Sequence, residues 1–309
     1  MALLALIIAL FIEHYFHKDT KQLNQKVSHR HWFTRYQETM TGWFGDQSWF
    51  GKWVGEAVIL LAPVLIIYWI YAWYQHDWWF HGGLFGSLLM LALAVAVLVL
   101  CLGPESPRKS LKAYYAARSE HQDQTAFEAA AVFTGQDSAD SVEELDQQVS
   151  KTIFKKSQTR YFAVVIWFMI LGPAGALLYR LTNWYLEQKT GELSGELSGD
   201  EQGAMQTAQQ GFAYKLNLIL EWIPARITAL AYLFAGDMGA GVKKIKSDFF
   251  DFDVDGLSFV ETAGFASLGF YESDDKRGPS RWALKLAERA GVIVFALAAI
   301  MSLLGLGLY

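Results

Sequence analysis

The chain has 309 residues, of which 53% are hydrophobic and only 18% charged, with a formal net charge of −5. A soluble domain carries nearer 45–50% apolar and about 25% charged residues, and the acidic balance gives no basic footprint for nucleic acid. The one cysteine, Cys101, stands inside an apolar run, which excludes an internal disulfide and a cysteine-built metal site.

The apolar residues fall in blocks near 2–16, 57–74, 83–103, 161–182, 216–236 and 290–308. A run of about 20 such residues matches the hydrocarbon core of a bilayer. We therefore expect an all-α integral membrane protein, one membrane domain over 1–309 with four to six transmembrane helices and helical cytoplasmic segments. The first block has no Lys or Arg ahead of it and is followed by Glu13-His14-Tyr15-Phe16, so it reads as a retained helix and not a cleaved signal. The fifth block is interrupted by Glu221, Pro224 and Arg226.

Basic residues gather in 17–56, 104–160 and 237–289, whereas 75–82 has none and 183–215 carries mainly acids. Because Lys and Arg resist translocation, the alternation is self-consistent only if all six blocks cross, with both termini outside. Trp43, Trp49, Trp53, Trp73, Trp78, Trp79, Trp184 and Tyr185 flank the crossings at interface-belt positions.

Within the cytoplasmic insert 104–160, Leu111, Tyr114, Tyr115, Ala126, Phe127, Ala130 and Phe133 recur at helical spacing after Ser106-Pro107. A second helix is expected from Ser141, with Glu144 completing a capping box, an apolar stripe at Val142, Leu145, Val149, Ile153 and Phe154, and a run into the fourth crossing. The repeat GELSGELSGD (191–200) reads as a flexible outside loop. The segment 237–289 is expected on the cytoplasmic side.

Two motifs carry the candidate site. In GPAGALLYR (172–180), Gly172, Gly175 and Ala176 permit close approach of another helix. Pro173 frees a carbonyl one turn earlier, which must be satisfied by protein or a wet cavity. The segment is either a kinked packing helix or a ligand-facing break. Arg180 either snorkels to the interface or turns inward toward an acid or an anion. In LNLILEWIPARITALAYLFAGD (216–237), Asn217, Glu221 and Thr228 share a face, with Arg226 off it. A Glu221–Arg180 pair is conceivable; the bland alternative is a half-inserted helix whose charges are wet. Asp251, Asp253 and Asp255 resemble the start of a calcium loop, but Thr262 stands where the bidentate Glu belongs and Glu261 is one place early. The run therefore reads as an acidic turn. The scattered histidines form no metal motif, and no nucleotide or hydrolase signature is present. No cofactor is expected.

The two motifs together, with LLALIIALFIEHYF and YYAARSEHQDQTAFEAAA, resemble the AmpE/CobD-CbiB group of multi-pass membrane proteins over most of the chain. The cobalamin branch joins an aminopropanol unit to a corrinoid carboxylate. Its acidic runs are replaced here by Lys156-Ser157-Gln158-Thr159-Arg160 and by Asn217-Leu218-Ile219-Leu220-Glu221, which removes the acids that would hold Mg²⁺ against phosphates. The resemblance therefore implies the AmpE branch: a regulatory or accessory protein of the bacterial inner membrane, linked to cell-wall recycling and β-lactamase induction and associated with the AmpD amidase. On this reading Arg180, Glu221, Arg226 and Asn217 line a polar pocket between proline-notched segments marked by Gly172, Pro173, Gly175 and Pro224, with an anionic lipid or cell-wall fragment as occupant. Membrane lipids are the expected partners, and a homodimer is conceivable. The alternative is a divergent membrane transferase, in which Glu105, Glu120, Asp123 and Glu128 would converge near Arg226.

Overall fold

The computed structural model describes residues 2–16, 31–44, 49–76, 84–102, 107–135, 139–196, 211–269 and 279–304. Among them every regular element is helical: α1 (Ala2–Phe16), α2 (His31–Phe44), α3 (Trp49–His76), α4 (Leu84–Leu102), α5 (Pro107–Ser110), α6 (Lys112–Ser119), α7 (Asp123–Thr134), α8 (Val142–Ser157), α9 (Ala163–Glu196), α10 (Phe212–Ala235), α11 (Met238–Ile245), α12 (Gly256–Ser267) and α13 (Pro279–Leu303). A π-helical turn, Gln158–Phe162, joins α8 to α9. Five of the helical stretches are long and apolar enough to cross a bilayer, whereas the apolar part of α1, Leu3–Ile12, is shorter. The protein is an all-α, multi-pass membrane protein.

The chain divides into two compact units, and two of the boundaries fall inside helices, in α10 and in α13. The first unit comprises 1–104, 163–220 and 298–309. Its centre is α9, whose residues from Ala163 to Tyr185 are almost continuously buried. Helices α1, α3 and α4 pack on α9, α1 lies along α4, and α2 lies on α3. Tyr71 donates from α3 to the Met90 carbonyl of α4 at 3.0 Å, tying that antiparallel pair. Leu65, Ile66, Tyr68, Trp69, Phe85, Leu88 and Leu89 are exposed. Such a surface is stable only in lipid.

The second unit comprises 105–162 and 221–297. Most of the stripe expected from the sequence is its core: Leu111, Tyr114, Ala126, Ala130, Phe133, Leu145, Val149, Ile153 and Phe154 are buried, whereas Tyr115, Phe127 and Val142 are half-buried. The Ser141 half of the expected capping box at α8 forms, while Glu144 reaches the amide one residue ahead of the cap. Ser141 Oγ accepts from the Glu144 amide at 3.2 Å, and the Glu144 carboxylate accepts from the Asp140 amide at 3.0 Å. α7 ends at Gly135, in the left-handed conformation (φ 74°) that glycine adopts without a Cβ penalty. Asp146, buried on α8, accepts from Tyr114 Oη at 2.6 Å, from the Ser280 amide at 2.8 Å and from Ser280 Oγ at 2.5 Å. It thus fixes the N-terminus of α13, where an anion is favoured by the unpaired amides.

One expectation is corrected. The first part of the repeat, Gly191–Glu196, is not loop but the last turns of α9; Leu and Glu at this spacing are good helix formers once a long helix is already nucleated. The rest of that repeat, with Trp78, Trp79, Glu105 and Ser106, lies outside the described residues.

Candidate functional site

Gly172 is the break in α9. Its backbone sits at φ 70°, ψ −160°, a region occupied essentially only by glycine. Pro173 follows, without an amide to continue the ladder. The consequence is a sharp bend that can be read from two distances. A Cβ placed on Gly175 would lie 2.8 Å from the Trp167 carbonyl and 2.5 Å from Leu171 Cβ. Eight residues along a straight helix would separate Gly175 and Trp167 by about 12 Å. The space that Gly175 leaves is therefore filled by the preceding limb of its own helix.

Both limbs of α9 then reach the same turn of α10. Trp167, before the break, donates its indole N–H to the Leu220 carbonyl at 2.8 Å. Asn183, after the break, donates its amide to Asn217 Oδ1 at 3.4 Å. Sixteen residues separate Trp167 from Asn183; a straight helix would hold them about 24 Å apart, against roughly 4.5 Å between positions 217 and 220. Side-chain reach covers only part of that gap, and the bend at Gly172 covers the rest.

The Leu220 carbonyl has a specific reason to look outside its helix. Its ladder partner would be the amide of residue 224, and that residue is Pro224. A carbonyl orphaned in an apolar surround costs about 1–3 kcal/mol. The Trp167 indole N–H supplies the missing donor. The two proline notches are thus coupled: bending α9 places Trp167 where α10 lacks a hydrogen bond.

Arg180 lies one turn before Asn183 on α9 and is 8% exposed. Its guanidinium carbon stands 5.2 Å from the centre of the Trp184 ring, and Trp184 is backed by Phe33 of α2 with centroids 6.2 Å apart. The arginine is therefore held inside the protein against an aromatic face, not extended along the surface. Thr182 and Asn183 bond back to the carbonyls of Leu178 and Tyr179.

A second polar group of this unit has no counterpart among the residues expected from sequence. Glu56 of α3 is buried and forms an ion pair with Lys189 of α9. Its other oxygen accepts from the Ala213 amide at the start of α10 at 3.0 Å. A Cβ on Gly211 would lie 2.8 Å from this carboxylate. Glu56 thus caps α10 and ties it to α3 and α9. Lys215 stands 4.8 Å from the centre of the Trp53 ring.

Glu221 and Arg226 belong to the second unit. Both are buried. Glu221 packs under the start of α12, where a Cβ on Gly256 would meet its Cγ at 2.6 Å. Arg226 donates from Nε to the Phe249 carbonyl at 3.1 Å and from Nη2 to the Asp251 carbonyl at 2.5 Å. Its guanidinium is layered between Trp222 and Phe259, at 4.7 and 4.5 Å from their ring centres. These contacts give Arg226 a structural task, clasping the 249–251 turn.

Two of the three aspartates of that turn work locally. Asp251 Oδ1 accepts from the Asp253 amide at 2.9 Å, and Asp255 caps α12 by accepting from the Ser258 amide at 2.9 Å. Among the described residues no three His, Cys, Asp or Glu side chains gather to hold a metal ion. Asp123 pairs with Arg118, while Glu120 and Glu128 accept from Gln122 and Gln124.

Comparison with known proteins agrees with the motifs. The chain is similar to a protein from Chromobacterium violaceum named "Cobalamin biosynthesis protein CobD", at 25% identity over 196 residues, which is 63% of this chain and 60% of that relative. It thus spans less than two thirds of that relative's length. No solved structure matches. The family model described as "Regulatory signalling modulator protein AmpE" matches residues 47–307, from α3 onward and including both proline-notched helices, and the chain belongs to the AmpE family.

Proposed function

We propose that this protein modulates, from the bacterial inner membrane, the signalling that couples cell-wall recycling to β-lactamase induction, in functional partnership with the AmpD amidase. It does so by holding an anionic lipid or cell-wall fragment at the Arg180 face of the bent helix α9. The observation that carries this reading is the convergence of both limbs of α9 on one turn of α10, beside a buried arginine and the Asn183–Asn217 pair. A buried intramembrane cation, here one turn from an asparagine pair, is a binding element for an anionic headgroup or carboxylate. Basic segments 104–160 and 237–289 would face the cytoplasm, and a second copy of the chain is a compatible partner.

The test is direct binding to the full chain in nanodiscs, with phosphatidylglycerol and an anhydro-muropeptide as separate probes. Arg180→Gln removes the charge and keeps a hydrogen-bonding group. Losing a charge-assisted bond of about 1.5–3 kcal/mol weakens binding by at least about tenfold. Equal binding by the folded variant contradicts the reading.

A second reading, a divergent membrane transferase, is favoured by the similarity to a protein named for cobalamin biosynthesis. It requires nucleotide-dependent turnover of a corrinoid carboxylate by the purified chain.

A further inference from the structure

Helices α11 and α12 form an antiparallel hairpin laid along the C-terminal part of α10, all within the second unit. The register is fixed by four glycines and one arginine. Gly236 closes on the Ser267 backbone, and a Cβ on Gly241 would meet Leu233 at 2.9 Å. Further up α10, Phe259 covers Arg226 at 4.5 Å, and Gly256 sits on Glu221 and Ala225. On the far side, Gly264 sits on the Phe154 ring, with a Cβ there at 2.8 Å. The hairpin therefore leaves the end of α10 and climbs back beside it. Its tip, residues 246–255, lies level with Trp222 and Arg226. Trp222 stacks on Phe252 with ring centres 4.4 Å apart and planes 8° apart, and Arg226 clasps two tip carbonyls.

The level of that tip relative to lipid follows from α8. Tyr232 of α10 lies against Phe154 and Phe162, at 5.2 and 6.1 Å between ring centres. Those two residues bracket Lys155, Lys156 and Arg160, charges that mark the watery side of an interface. Arg226 and Trp222 stand six and ten residues before Tyr232, toward the start of α10, or about 9 and 15 Å away at 1.5 Å per residue. α10 is itself one of the helices able to cross a bilayer, and its Ile223, Leu230 and Phe234 are exposed along it. At the tip Phe250 and Phe252 are 76% and 75% exposed, two bare rings two residues apart.

We infer that the α11–α12 tip is an interfacial wedge: Phe250 and Phe252 enter the headgroup–acyl boundary of the leaflet on the side of the basic segments, beside α10. Arg226, about 9 Å from Tyr232 along the helix, stands at the depth of amphipathic elements lying about 5–10 Å into this boundary, and Trp222 with Phe252 stands on its acyl side. The stretch 243–255 carries Lys243, Lys244 and Lys246 against Asp248, Asp251, Asp253 and Asp255, so it holds no excess of positive charge to draw an anionic lipid. The occupant is therefore the phospholipid boundary itself, and insertion does not depend on anionic lipid. Arg226 is the positioning residue, since it holds the tip backbone at this level.

The experiment attaches a fluorophore at Phe252→Cys in a Cys101→Ala background of the full chain, reconstituted in phosphatidylcholine vesicles. A label at Val132→Cys serves as the water-exposed reference, since Val132 is 88% exposed on α7. The wedge predicts that doxyl-labelled lipid quenches the label at 252 and aqueous iodide does not, with the reverse at 132. It also predicts no change when phosphatidylglycerol is added. Quenching at 252 by iodide, or by neither agent, overturns the inference, the latter showing a tip covered by protein. If Phe252→Cys fails to fold, Phe250→Cys reads the same surface.

Discussion

Replacing Trp167 by Phe tests the coupling between the two notches. The substitution keeps most of the buried ring and removes only the N–H that reaches the Leu220 carbonyl at 2.8 Å. That carbonyl cannot turn to its own helix, because residue 224 is a proline. A buried acceptor without a partner costs about 1–3 kcal/mol, while hydrogen bonds between membrane helices average nearer 0.6 kcal/mol. We expect a loss of about 1–2 kcal/mol in reversible unfolding of the chain in mixed micelles. Pro224→Ala supplies an amide to the same carbonyl, so the two sites are not independent. In the Pro224→Ala background the Trp167→Phe penalty shrinks by about 1 kcal/mol, the size expected for residues sharing one partner. An identical penalty in both backgrounds would refute the reasoning, since the indole would then matter only for packing.

Gly172→Ala forces a Cβ into a backbone region almost reserved for glycine and is expected to destabilise the chain by about 1–3 kcal/mol. The same micelle unfolding titration reads this directly. Asp146→Ala removes the acceptor of three hydrogen bonds and is expected to cost about 2–4 kcal/mol. Hydrogen exchange should show the first turn of α13 opening in that variant while α10 stays protected.

Much of the fold is legible in the sequence because long apolar runs and 3.6-residue periodicity are strong local signals. The blocks 2–16, 83–103 and 216–236 coincide closely with α1, α4 and α10. Ser141 and Glu144 announce the start of α8, and Leu145, Val149 and Ile153 its buried face. Pro173 and Pro224 mark the two notches. What is not legible is which distant groups meet. Trp167 reads as one more aromatic in an apolar run, and nothing local says that a proline 57 positions later leaves a carbonyl for it. Glu56 reads as a lone acid at the edge of a crossing; Lys189 and the start of α10 become its partners only through packing. Arg226 looks from sequence like a pocket residue, whereas its hydrogen bonds go to the backbone of the 249–251 turn. The α11–α12 hairpin is hidden because 237–267 carries no long apolar run to announce its packing, and its glycines matter only through the close approaches they allow.

The central claim is that α9 bends at Gly172 so that both its limbs rest on one turn of α10. Paired cysteines at Asn183 and Asn217, whose amide groups stand 3.4 Å apart, test this in native membranes. The account predicts rapid disulfide formation between them, lost when Gly172→Ala straightens the helix. Absence of the 183–217 cross-link in a folded protein that keeps Gly172 would contradict it.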